Sequence, residues 1–106
     1  MQISPAELAQ ARRDGGVRLI DVRTREEYDA ASIEGAVLLN QDLMQEIIAR
    51  WDRSALIVFA DHQGARSMDA AAYFAGHGFT QARALQGGID AWSQQIDPSI
   101  PRYHLE

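Results

Sequence analysis

The stretch Ala55-Leu56-Ile57-Val58-Phe59-Ala60, continued by Asp61-His62-Gln63-Gly64-Ala65-Arg66-Ser67, decides how the rest of the chain is read. An apolar run of this length, bounded by a polar turn, predicts a strand buried on both faces of a sheet. The apolar and small residues from Ser67 to Ala75 predict a helix closed by Gly76 or Gly78. A buried strand that passes through a glycine-containing loop directly into a helix aims several backbone N–H groups and the helix dipole at one point, and that point attracts an anion. Arg66 supplies a planar cationic fork and Ser67 a hydroxyl, so Asp61, His62, Gln63, Gly64, Ala65, Arg66 and Ser67 form a candidate anion-binding loop. An ordinary strand-to-helix turn, with Arg66 solvated and Asp61 a helix N-terminal carboxylate, has the same pattern.

Working outward, the same alternation repeats. Ser4, Pro5 and Glu7 have the form of a capping box with proline at the first helical position, which predicts a helix from Pro5 to about Asp14, stopped by Gly15 and Gly16. Val17 to Val22 predicts a strand running into Asp21-Val22-Arg23, and Thr24 with Glu27 forms a second capping box for a helix over Arg25 to Ala30. Ala36 to Leu39 predicts a short buried strand. Behind the cap Asn40, residues Leu43, Met44, Ile47, Ile48 and Trp51 fall at helical spacing. Ala82 to Leu85 predicts the last strand, Gly87-Gly88 a turn, Ile89 to Gln95 the last helix, and Asp97 to Pro101 an extended tail. Strands alternating with helices imply an α/β fold: an open parallel sheet of about five strands with helices on both faces and right-handed crossovers. In such folds ligands sit outside the carboxyl ends of the strands, where Asp21 and Arg23, residues 61–67, and Gln86, Gly87 and Gly88 lie.

Composition narrows the chemistry. The 106 residues suit one domain, read as residues 1–104 with Leu105-Glu106 as an expression-vector scar. With 15 acidic against 10 scattered basic residues, the net charge of −5 argues against nucleic acid as a partner. The apolar run 55–60 is far shorter than the ~20 residues that cross a bilayer, so the expectation is no membrane association and a cytoplasmic protein. The chain has no cysteine, hence no disulfide, thiolate ligand or thiol nucleophile. Every basic residue is arginine, which excludes a Schiff-base lysine.

Five segments, taken together and in order, carry a resemblance: Leu19-Ile20-Asp21-Val22-Arg23, Ile33-Glu34-Gly35-Ala36, the 61–67 loop, Gly78-Phe79, and Gly87-Gly88-Ile89-Asp90-Ala91-Trp92. From Ile3 to about Trp92 the chain resembles single-domain rhodaneses, the sulfurtransferase family. The resemblance implies the rhodanese-like fold and makes the 61–67 loop the family's active-site loop, where a cysteine takes sulfane sulfur from a donor such as thiosulfate and passes it to a thiol or cyanide. Counting back five positions from Arg66 places Asp61 at that cysteine's position; a seven-residue register, as in the related dual-specificity phosphatases and arsenate reductases, places Ala60 there. Neither side chain holds a sulfane sulfur. Ser32 stands where the family has a histidine ahead of its Ile-x-Gly-Ala segment.

The resemblance and the missing thiol together lead to an expectation of recognition without sulfur transfer. The domain is expected to be a binding or regulatory module that presents its cradle to a protein partner or fused domain, with sulfate, phosphate or thiosulfate as candidate ligands, and with no cofactor or metal. Asp61 is expected to accept the cradle's N–H groups and to pair with Arg66 in place of a ligand. Two alternatives compete: a residual enzyme in which Asp61 or His62 does acid/base or hydrolytic work on a small anionic substrate, and a sulfurtransferase-related segment of a longer fused protein. Asp21, Arg23, Gly87 and Gly88 are expected to brace the loop. His62 reads as a loop surface residue, His77 as a helix C-terminal residue, His104 as part of the tail, and Trp51 and Trp92 as core or edge packing.

Overall fold

The computed structural model describes residues 2–101. Five strands and five helices alternate: β1 (Gln2–Ile3), α1 (Pro5–Asp14), β2 (Val17–Asp21), α2 (Arg25–Ala30), β3 (Val37–Leu38), α3 (Gln41–Arg50), β4 (Leu56–Ala60), α4 (Ala65–Gly76), β5 (Ala82–Leu85) and α5 (Gly88–Gln95). The strands form one parallel sheet in the order β1-β5-β4-β2-β3. β4, the most apolar strand, sits at the centre, its Leu56–Ala60 in register with Val17–Asp21 of β2.

Helix starts follow local chemistry. Ser4 and Thr24 each accept the N–H of a glutamate three residues on, and that glutamate reaches back to the cap's own N–H. Asn40 Oδ1 accepts Leu43 N–H at 2.7 Å. The period-two alternation of β4 divides the core in two. Val58 and Ala60 pack on one face with Leu8 of α1 and Ile89 and Trp92 of α5. Ile57 and Phe59 pack on the other with Ile47 of α3 and Ala71 and Phe74 of α4, where the Phe59 and Phe74 rings stack at 5.1 Å. Trp92 is thus core, while Trp51 is half-buried at the edge beneath Arg18.

Three details differ from the sequence reading. β3 is an edge strand paired with β2 alone, which leaves Val37 51% exposed and not buried. Gln2–Ile3 joins the sheet as an edge strand through register with Ala84 and Leu85, a pairing that two residues cannot announce by periodicity. The segment after α5 is a turn and not an extended tail: Ile100 N–H donates to the Asp97 carbonyl at 3.2 Å, Ile100 is buried, and Ser93 Oγ donates to the Ile100 carbonyl at 2.6 Å. Burying Ile100 in the α1/α5 core bends the chain back. His104 and Leu105-Glu106 lie outside the described residues.

Candidate functional site

β4 ends at Ala60, and Asp61 stands at the C-terminal mouth of the central strand, 3% exposed. Two helix N-termini converge on it. From α4 come the N–H of the N-cap Gly64, at 2.5 Å from Asp61 Oδ1, and the N–H of Arg66, at 2.6 Å from Oδ2; the single Ser67 Oγ proton is shared between Oδ1 and the Gly64 carbonyl, each at 3.2 Å. From α5, Ile89 N–H donates to the Asp61 carbonyl at 2.8 Å and Asp90 N–H to the His62 carbonyl at 3.1 Å. One carboxylate therefore takes the donors that a strand–loop–helix cradle would offer a free anion.

Glycine makes this approach feasible at two points. Gly64 holds φ +103°, which turns its N–H back toward the strand end. Gly88 holds φ +65°, and a Cβ there would lie 2.5 Å from the Asp61 carbonyl oxygen and closer still to that of His62, so no other residue lets α5 seat against the loop. Gly87 precedes it at φ +74° as the N-cap of α5. At Gly88 the loop and α5 therefore meet main chain against main chain.

Two expectations need correction. Arg66 contributes its main-chain N–H to Asp61, but its guanidinium is turned outward to Glu27 at 3.8 Å, with its side chain 56% exposed. The N–H groups already satisfy the carboxylate, so the cation is free to stay solvated. His62 is buried and not a surface residue, because its carbonyl is drawn under the start of α5. Asp21 and Arg23 are fully buried and clamp each other: Arg23 donates from its main chain and Nε to Asp21 Oδ1 at 2.9 and 3.0 Å and from Nη2 to Oδ2 at 2.8 Å. Arg23 also donates to the Ala31 carbonyl at 2.6 Å, so the pair braces the turn into α2 and its far end. Gln63, Ala65 and Arg66 are exposed, whereas Gly64 and Ser67 are buried. Glu27 was legible only as a capping-box residue. The capping geometry carries its second role, since it fixes Glu27 on the first turn of α2 opposite Arg66.

A model of the rhodanese-like domain matches residues 4–95. The chain belongs to the rhodanese-like family. A thiosulfate sulfurtransferase, GlpE of Pseudomonas savastanoi pv. phaseolicola, is 34% identical over 88 residues, covering 83% of each chain. A probable adenylyltransferase/sulfurtransferase, MoeZ of Mycobacterium tuberculosis, is 36% identical over 104 residues, which cover 95% of this chain and 26% of that protein. Among solved structures, the human single-domain sulfurtransferase TSTD1 superposes with a TM-score of 0.78 at 25% identity, covering 89% of this chain and 96% of that one. This rhodanese-like domain contains no cysteine. No helix among the described residues is long and apolar enough to cross a membrane.

Proposed function

We propose that this rhodanese-like domain is a non-catalytic binding module whose anion cradle is closed by its own Asp61, and that it acts by presenting this end of the sheet to a protein partner or fused domain. The observation that carries the reading is the seating of the Asp61 carboxylate on the Gly64 and Arg66 N–H groups and the Ser67 hydroxyl. A carboxylate held by two main-chain N–H groups and a shared hydroxyl, and 3% exposed, is a poor nucleophile and an inaccessible base. Its charge also repels thiosulfate, sulfate and phosphate from the donors they would use. These features weigh against the residual-enzyme alternative built on Asp61. The partner would meet the exposed rim: Gln63, Ala65 and the Arg66–Glu27 pair.

The test is sulfur transfer from thiosulfate to cyanide, followed as thiocyanate, alongside calorimetric titration with sulfate. The wild-type chain is expected to match the buffer blank in the first and to bind no sulfate in the second. Thiocyanate production above the blank by protein free of contaminating sulfurtransferase overturns the non-catalytic reading. Wild-type sulfate binding at the loop overturns the closed cradle.

A further inference from the structure

The other end of the sheet carries a feature that the loop does not explain. β2 pairs with β4 from Val17 onward, but its ladder with β3 begins only at Ile20 opposite Val37. Among the described residues, the Val17–Leu19 half of β2 thus has a strand on one side only. β3 does not extend back to cover it because the chain turns at residues 33–36, with Gly35 at φ +83° and Ala36 N–H bonded to the Ile33 carbonyl at 3.0 Å. Two clefts, of about 350 and 230 Å³, open on this edge and share Val17, Leu19 and Gly35 in their walls.

Each cleft has an arginine. Leu19 belongs to the α1/α5 core, and on that side Arg12 of α1 lines the smaller cleft. Arg12 Nη2 donates to the Glu34 carbonyl and its guanidinium carbon lies 5.8 Å from the centre of the Trp92 ring, while its Nη1 is buried with no hydrogen-bond partner. On the α3 side Arg18 lies 4.3 Å from the centre of the Trp51 ring in the wall of the larger cleft, which Glu46 also lines, its carboxylate held by Trp51 Nε1 at 3.4 Å. A buried guanidinium N–H without an acceptor is costly and in a native protein ordinarily finds one. At the rim Val37 is 51% exposed.

We propose that this open edge of β2 docks an extended acidic segment of a partner protein, added as a short extra strand. Successive side chains of an added strand point to opposite faces, so two adjacent carboxylates reach Arg12 on one face and Arg18 on the other, and rotation of the Arg12 guanidinium brings Nη1 out to its acceptor. An apolar neighbour on the same strand covers Val37. The open stretch is about 10 Å long, enough for two or three backbone hydrogen bonds, which makes charge the main source of selectivity. The site lies at the opposite end of the strands from Asp61 and stands whether or not the loop reading does.

The experiment is a ¹H–¹⁵N NMR titration of the full chain with two capped hexapeptides, Thr-Val-Glu-Asp-Val-Thr and its Thr-Val-Lys-Arg-Val-Thr counterpart. The acidic peptide is expected to shift the amides of Val17, Arg18, Leu19 and Gly35, and the basic peptide to leave them in place. Arg12→Gln is expected to weaken the acidic peptide about tenfold, the scale of one charge-assisted hydrogen bond, with the remaining spectrum unchanged. Equal shifts from both peptides, shifts elsewhere only, or an unchanged affinity in Arg12→Gln overturn the proposal. So does movement of the same amides on simple dilution, which would make a second copy of this chain the occupant. The peptide comparison decides the matter even if Arg12→Gln fails to fold.

Discussion

Two aspartates are withdrawn from water at the C-terminal ends of adjacent strands, and they are neutralised by opposite means. Asp21, 0% exposed, is clamped by the guanidinium and main-chain N–H of Arg23. Asp61, 3% exposed, rests instead on two main-chain N–H groups and a hydroxyl at the start of α4. A full cation ties the fate of two side chains together, since removing either leaves the other charged and buried. Main-chain donors belong to the fold and persist whatever side chain occupies residue 61. Asp21 is therefore a structural commitment, and Asp61 is an occupant.

The comparison is most severely tested at the clamp. Asp21→Asn removes the carboxylate charge that Arg23 meets through Nε and Nη2 inside the fold and is expected to cost about 3–5 kcal/mol in urea unfolding. The double change Asp21→Asn with Arg23→Met should recover much of that loss. If Asp21→Asn costs no more than removal of the Asp61 carboxylate, the distinction between clamp and occupant fails.

Asp61→Ala strips the acceptor from the cradle and is expected to cost about 1–3 kcal/mol, with added sulfate or phosphate restoring thermal stability in the variant and not in the wild type. A loss that anions do not reverse would mean that the donors do not form a site once vacated. Asp61→Cys sharpens the same point. Main-chain donors and the α4 dipole should lower the thiol pKa, so that the thiolate attacks the outer sulfur of thiosulfate, forms a new S–S bond and releases sulfite. Mass spectrometry should show one added sulfur, and its absence would count against an intact cradle.

The smallest effect is expected at a surface carboxylate that also rests on N–H donors. Glu7 is held below its ordinary 4.5 by the Ser4 main-chain N–H and then by the Ser4 hydroxyl. A depressed carboxyl contributes stability above its unfolded pKa, and that contribution is lost as pH falls through the lower, folded value. The melting-temperature difference between wild type and Glu7→Gln should therefore be slight at pH 7 and shrink further below about pH 4.5. A difference that grows on acidification would contradict the assignment.

Much of this was legible in the chain because it is local. Capping boxes at Ser4/Glu7 and Thr24/Glu27, the Asn40 cap and the apolar run 56–60 act within a few residues, and the elements they predict are present. The pairing of Asp21 with Arg23 is legible for the same reason, since a spacing of two across a strand end keeps both groups together. The rhodanese-like segments and the missing cysteine were likewise available from residue order alone.

Other features depend on residues far apart in the chain meeting. β1 is a strand only because β5 lies beside it. His62 is buried because α5, more than twenty residues on, starts over its carbonyl, an approach that Gly88 permits. Arg66 turns to Glu27 on α2, and Ile100 folds back onto the core under α1. Sequence by itself determined the order of strands and helices, the family and the absence of a thiol, because these follow from short-range periodicity, caps and composition. Only the tertiary structure decided that the Asp61 carboxylate takes the Gly64 and Arg66 N–H groups, since the direction of main-chain donors is set by packing and not by residue type.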